Sequence, residues 1–286
     1  MQRFLPSRLA LTIAFWFGAF AQAAAACPST ALGTSRILPV GTQGGLAVGL
    51  KSYAQTLALA DHEVVLTFDD GPDIATTPTV LEALAQDCVK ATFFLIGRNA
   101  KAYPALVKRE IGDGHTIGHH TMSHPSLTLR GLSDADAQAD IDAGMEADDI
   151  AAYGTAGAEP RVKFFRFPGF GDTSPLLAWL AQRDIAVFGT DIWASDWLNM
   201  TAAVELELLM RRLQAEGRGI ILLHDNRGNT AAMIPALLAA LKQNGFKIVH
   251  LVPGPAKPKL RRAPAGWTSE TERVLAHMWP KIPVRP

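Results

Sequence analysis

The stretch Glu63-Val-Val-Leu-Thr-Phe-Asp-Asp-Gly-Pro72 is a β-branched and aromatic run that ends abruptly in two adjacent carboxylates and a Gly-Pro turn. Residues 63–68 read as a buried strand. A helix over 77–87, opening Thr-Pro, follows it, and Ala91-Thr-Phe-Phe-Leu-Ile96 is a second strand of the same kind. The alternation continues outward from there. Helices are expected at 100–110, 134–153, 174–183, 202–216 and 231–244. The second of these has Ser133 as its cap and Ala137, Ile141, Met145 and Ile150 on its apolar face. Further strands are expected at 116–117, 163–166, 186–189, 219–223 and 246–251. Short apolar runs alternating with amphipathic helices predict an α/β fold with a parallel sheet. A closed or nearly closed barrel is favoured over an open three-layer sheet, because no glycine-rich phosphate fingerprint follows the first strand.

The organisation around this core is read from composition. Residues 1–26 carry Arg3 and Arg8, an apolar run over 9–20 and the small residues Ala21-Gln22-Ala23, with Ala24 to Ala26 as later cleavage options. This is the pattern of a signal peptide. The competing reading, a membrane anchor, needs about 20 apolar residues, and the run is shorter and passes into alanines without a basic stop. The expected product is therefore exported, periplasmic or secreted, with no membrane span after signal removal. A lead-in segment occupies 27–62, the barrel 63–252, and a proline-rich extended tail 253–286. The tail's one periodic piece, 269–278, is expected as a short helix docking through Trp267, Val274, Leu275 and Met278. One domain with a tail results, expected as a monomer.

The chain has 286 residues with 27 basic and 27 acidic side chains, and loss of the two signal arginines leaves a net charge of −2. No nucleic acid partner is expected from that balance. Cys27 and Cys88 are the only cysteines. In an oxidising compartment they could pair, although chain spacing does not give their distance in space.

The polar residues that carry chemistry fall where strands end. Asp-Gly-Pro is good turn chemistry, which accounts for Asp70 and Gly71 but not for Asp69. Two adjacent carboxylates are electrostatically costly without a cation beside them. His120-Thr-Met-Ser-His124 places two imidazoles four apart, expected on one face of a helical turn, a spacing that suits one metal ion. Two histidines and one aspartate fill three positions on zinc and leave a fourth open. The spare aspartate is then a candidate base. No glutamate follows the first histidine, so the helical metalloprotease arrangement is excluded. His224, at the end of Leu222-Leu-His-Asp225, has no second histidine near it and is a candidate general acid. Arg166 could hold the base ionised and Asp196 could orient His224, although singly either is an ordinary ion-pair residue.

Taken together, Thr67-Phe-Asp-Asp70, His120-x3-His124, Arg166-x-Pro168, Asp196-Trp197 and Leu222-x-His224 resemble, in order and over about 63–251, the polysaccharide deacetylases of the NodB-homology type, carbohydrate esterase family 4. The resemblance implies a distorted (β/α)7 barrel and hydrolysis of linear amides, here N-acetyl groups on a polysaccharide amino sugar, with acetate released. It implies one divalent ion, zinc first and cobalt or nickel as alternatives, held by Asp70, His120 and His124. Asp69 would be the base steadied by Arg166, and His224 the acid tuned by Asp196. Trp197 and Leu222 would wall the acetyl pocket. The family's Arg-x-Pro-Tyr is here Arg166-Phe-Pro-Gly169-Phe170, so the oxyanion donor would be the amide near Gly169 and the sugar contact would shift to Phe170. His119 stands where the family often has asparagine and is expected to support the site from behind or to face solvent; His62, His115, His250 and His277 are expected to be structural. The polymer stays open among chitin oligomers, peptidoglycan and poly-N-acetylglucosamine. O-acetylated xylan, a metal phosphohydrolase and a non-catalytic glycan-binding protein are the alternatives.

Overall fold

The computed structural model describes residues 27–278. The expected signal segment, residues 279–286 and the side chain of Met278 lie outside the described residues. The chain begins with three strands, β1 (Thr34–Val40), β2 (Leu46–Val48) and β3 (Gln55–Leu57). Then come β4 (Glu63–Asp69), α1 (Thr77–Gln86), β5 (Thr92–Leu95), α2 (Gly97–Ala102), α3 (Pro104–Gly112) and β6 (Thr116–His119). The middle contains α4 (Asp134–Tyr153), β7 (Phe164–Phe165), α5 (Ser174–Gln182), β8 (Ala186–Phe188), β9 (Ile192–Trp193) and α6 (Ala202–Glu216). The last part is β10 (Gly219–His224), α7 (Gly228–Gln243), β11 (Lys247–Pro253), β12 (Leu260–Arg262) and α8 (Glu270–Met278).

Pairing is parallel from β4 through β5, β6 and β7 to β8. The chain bends at 189–191 and resumes as β9, which pairs with β10, and β10 returns to β4 in parallel. The ring therefore closes through one interrupted strand. It is a distorted α/β barrel with helices outside, in a single domain, as expected. The strand β11 joins β4 only at Lys247 and Ile248 and carries β1 on its other edge.

Inside and outside follow the two-residue period of a strand. On β4, Val64, Leu66 and Phe68 belong to the apolar cluster shared with helices α1 and α7. Val65 belongs to a second cluster with Phe94, Phe164, Phe188, Ile220 and Val249, which fills the barrel. All seven residues of β4 are buried, because both faces are covered.

Three expectations change. Residues 27–62 are not merely a lead-in, since β1 and β2 extend the sheet at β11 and β8. The helix expected at 100–110 is two helices, broken at Tyr103 because Pro104 starts the second. Ile150, expected on the buried face of α4, is 47% exposed, whereas Ala137, Ile141 and Met145 are buried. In the tail, β12 pairs antiparallel with β3. Leu275 of α8 is buried and Trp267 donates its indole N–H to Leu50 O at 2.7 Å. The cysteines are joined as a Cys27–Cys88 disulfide.

Candidate functional site

Strand register brings two of the expected residues together before any side chain is considered. Asp69 and His224 are cross-strand partners at the C-terminal ends of β4 and β10. Both follow the interior parity, with Val65 and Thr67 on one strand and Ile220 and Leu222 on the other. Asp70, one residue further on, breaks the strand by entering the left-handed region at φ 72°. That conformation is costly for a residue with a side chain. It is held from outside: Asn99 of α2 donates to Asp70 O at 2.8 Å, and Ile96 N donates to Gly71 O at 3.1 Å. A Cβ on Gly71 would lie 2.2 Å from Asp225 Oδ2, so the buried Asp225 carboxylate packs directly against this glycine.

Asp70, His120 and His124 converge. Their ligand atoms lie within 4.8 Å of one another. Asp70 Oδ1 is 3.5 Å from His120 Nε2 and 3.4 Å from His124 Nε2. The residues between the histidines are not a helical turn as expected. They form a loop after β6 in which Thr121 (φ 68°) and His124 (φ 46°) are left-handed. Thr121 Oγ1 accepts from His124 N at 3.0 Å and fixes that loop. His120 Nδ1 donates to Arg166 O at 2.8 Å, which leaves Nε2 as the free lone pair. Burial lowers the His120 pKa to about 4, so the ring is neutral at ordinary pH. Asp70 Oδ1 is buried and receives no hydrogen bond from the described residues. A buried carboxylate oxygen without a donor, facing two imidazole nitrogens, is a donor set that fits a divalent cation.

Arg166 lies fully buried inside the barrel. Its guanidinium donates to Asp69 Oδ1 at 2.6 Å, Thr67 Oγ1 at 2.8 Å, Phe188 O at 3.0 Å and Gly189 O at 3.0 Å. The last two acceptors are the carbonyls freed where the strand breaks between β8 and β9. It also sits 4.3 Å from the centre of the Phe94 ring. Arg166 thus fixes one oxygen of Asp69 and leaves Oδ2, 3.9 Å from His120 Nε2, facing the centre.

On the other strand, Asp196 grips His224 twice, accepting from Nδ1 and from the backbone N, each at 2.7 Å. Thr230 donates to Asp196 Oδ2 at 2.8 Å and also approaches Glu205. Burial by itself would lower the His224 pKa. The Asp196 charge and hydrogen bond, with the charges of Asp70 and Asp69, outweigh it and raise the value to about 10. A carboxylate held beside a guanidinium and an imidazole held protonated are an acid–base pair in waiting.

A cavity of about 360 Å³ is lined by Asp69, Asp70, His120, His124 and His224 together with Gly169, Phe170, Trp197 and Leu222. Every expected site residue therefore either lines it or, as with Arg166 and Asp196, touches one that does. The sequence reading missed Trp193, Arg227, Thr271 and Val274, which also line it. Trp193 and Arg227 stand within four residues of recognised motifs and that proximity was the available signal. Val274 was expected to dock the tail helix, but nothing in the sequence placed that helix at the cavity, and Thr271 had no signal. Also missed was Asp225, buried beside Gly71, with a hydrogen bond from the Thr77 hydroxyl and a pKa pushed up by burial to about 7.

His119 does not face solvent. It is buried, with Nδ1 2.8 Å from Asp148 Oδ2 and Nε2 3.0 Å from Val162 O, and ties β6 to α4. His115 and His250 are buried near β6 away from the cavity, while His62 and His277 are exposed.

The polysaccharide deacetylase profile matches residues 58–185. A peptidoglycan-N-acetylglucosamine deacetylase of Bacillus cereus is 38% identical over 53% of this chain, which spans about half (52%) of that relative. A chitooligosaccharide deacetylase of Sinorhizobium fredii is 33% identical over 66% of this chain and 89% of its own length. Among solved structures, a Bdellovibrio bacteriovorus peptidoglycan deacetylase superposes with a TM-score of 0.66 at 29% identity, covering 76% of this chain and 58% of that one. Sequence similarity over nearly the whole of a relative and a shared barrel agree, and the chain belongs to the polysaccharide deacetylase family.

Proposed function

We propose that this protein hydrolyses N-acetyl groups on the amino sugars of a polysaccharide, releasing acetate, outside the cytoplasm. The observation that carries the reading is the pairing of Asp69 and His224 across β4 and β10, beside Asp70, His120 and His124 in one cavity. The relatives' names favour peptidoglycan or chitin oligomers as the substrate, with poly-N-acetylglucosamine offering the same amide. The Cys27–Cys88 disulfide and the leader-like composition of residues 1–26 favour export.

Asp70, His120 and His124 would hold one divalent ion. Two imidazoles and a carboxylate suit zinc, with cobalt or nickel as alternatives. When bound, such an ion supplies Lewis-acid polarisation of the amide carbonyl and acidifies water. The protein's own groups do the rest. Asp69, held at Oδ1 by Arg166, takes a proton at Oδ2 from the attacking water as its oxygen bonds to the carbonyl carbon. The backbone N–H at Gly169 donates to the oxyanion that forms. His224 then gives its proton to the sugar nitrogen as the C–N bond breaks, and acetate and the free amine leave. Asp69 and His224 return to their starting states by proton exchange with solvent. Trp197 and Leu222 enclose the acetyl methyl, and Phe170 meets the sugar.

Acetate release from chitin oligomers, peptidoglycan, poly-N-acetylglucosamine and acetylated xylan, with and without chelator, tests this reading. We expect release from at least one N-acetylated polymer, abolished by chelator and restored by zinc. Release from xylan alone would replace the amidase reading with an O-acetyl esterase. Phosphate release from a generic ester, or glycan retention with no acetate, would replace it with a phosphohydrolase or a binding protein.

A further inference from the structure

The mechanism above leaves α8 unused, although this helix of the proline-rich tail reaches the cavity. Thr271 and Val274 line it together with Trp193 and Trp197. We propose that α8 is a wall of the substrate site, and that Val274 determines how a sugar flanking the acetylated residue lies against Trp193. The proposal rests on the deacetylase reading and adds a specificity residue to it.

The helix is held too firmly for a loosely lying tail. Arg130, only 3% exposed at its side chain, pairs with both carboxylate oxygens of Glu272, at 2.6 and 3.0 Å. Such a two-bond pair fixes orientation as well as position. Lys51 Nζ meets Glu270 Oε1 at 2.7 Å, Thr271 N donates to Lys51 O at 3.0 Å, and the Ser52 and Thr271 hydroxyls are 2.8 Å apart. Leu275 is 2% exposed on the inner side.

These anchors lead to opposite parts of the cavity. Arg130 also donates through Nε to Asp172 O at 2.8 Å, at the end of the turn that presents Gly169 and Phe170. Lys51 Nζ also lies 5.4 Å from the centre of the Trp193 ring. The helix therefore bridges the oxyanion turn and the tryptophan wall. Trp193 and Trp197 meet edge to face, with centroids 6.0 Å apart, and Trp197 meets His224 in the same way at 6.1 Å. An aromatic row thus runs from the proton donor toward α8. Val274 lines the same cavity as the two tryptophans and adds an apolar surface, which suits the C–H face of a pyranose ring. The Trp193 indole N–H is buried and has no acceptor among the described residues.

The test uses the zinc-loaded full chain with Val274→Trp and Val274→Ala, checked for an unchanged circular dichroism spectrum. Two substrates are compared, a chitin pentamer and 4-nitrophenyl acetate, which has no flanking sugar. For Val274→Trp we expect kcat/KM on the pentamer to fall by at least ~10-fold, chiefly through KM, with the small ester within about 2-fold of the parent. Val274→Ala should alter the pentamer KM and spare the ester. A parallel loss on both substrates, or no change on either, would overturn the proposal. A parent protein that releases no acetate from any acetylated glycan refutes the deacetylase reading instead. Calorimetric pentamer binding then decides this one: binding lost in Val274→Trp supports the wall, and equal or absent binding refutes it.

Discussion

At the scale of single residues, the most informative side chain is His224, because its environment opposes its burial. Buried imidazoles ordinarily lose their proton. Here Asp196 reverses that, and the ring stays protonated to about pH 10. His224→Ala should lower kcat by ~10²–10⁴-fold, the range for one acid–base partner, while the metal content measured by atomic emission is unchanged. Near-full activity in that variant would remove His224 from the mechanism. Asp196→Asn makes a sharper test. Without the Asp196 charge the largest raising influence is gone and the His224 pKa falls, so the basic limb of kcat/KM must move to lower pH. The sign for stability is also fixed. A folded-state pKa above the unfolded value stabilises the fold below about pH 6.5, and this stabilisation disappears as pH rises through about 10. In chelated protein, the difference in Tm between parent and Asp196→Asn should be widest in mild acid and shrink toward pH 10.

At the scale of elements, the loop that carries the histidines shows what a spacing can and cannot specify. Two imidazoles four residues apart can meet on a helical turn, and they meet equally well where Thr121 and His124 turn the chain in the left-handed region. The residue types and their separation were legible, and the backbone that joins them was not. Its support comes from α4, the next helix along the chain. A Cβ on Gly144 would lie 2.4 Å from Thr121 C and 2.6 Å from Met122 N, so α4 packs directly on the backbone of this loop. Met122 N also donates to Asp140 O at 2.9 Å. Glycine to alanine inside a helix normally gains ~0.5–1 kcal/mol. Here the forced displacement should cost about 1–3 kcal/mol and win. Gly144→Ala is therefore expected to lower Tm and to weaken metal affinity by roughly 10–100-fold, as loss of support behind a ligand does. A metal titration with a competing chelator measures the second effect. An unchanged affinity would mean that the loop holds its own shape.

At the scale of the whole molecule, the alternating core was readable because strands buried on both faces are nearly continuous apolar runs, as β4 and β10 are. The strands at the margins gave weaker signals. In β1, Thr34, Arg36 and Leu38 are half-buried while Ser35, Ile37 and Pro39 face out, so the apolar residues do not keep to one side; β2 and β3 have three residues each. The site was legible where it lies on strand ends within motifs; the apolar period of 269–278 announced a docking helix in the tail, but no local pattern says which part of the barrel so distant a segment meets. The disulfide is another long-range link of this sort. It joins Cys27 to Cys88 across 61 positions, tying the approach to β1 to the end of α1. Closing a loop of that length typically contributes about 2–4 kcal/mol. Backbone bonds from Gly33 N to Asp87 O at 2.8 Å and from Thr34 N to Cys88 O at 3.2 Å hold the same junction. The effect of removing the bond therefore belongs at the lower end of that range. For a domain of this size, Cys27→Ser with Cys88→Ser should lower Tm by roughly 4–8 °C. Neither cysteine lines the cavity, so kcat/KM at 25 °C should stay within about 2-fold of the parent. A drop in activity at 25 °C with Tm unchanged would contradict this, because it would mean that the link shapes the site instead of bracing the fold.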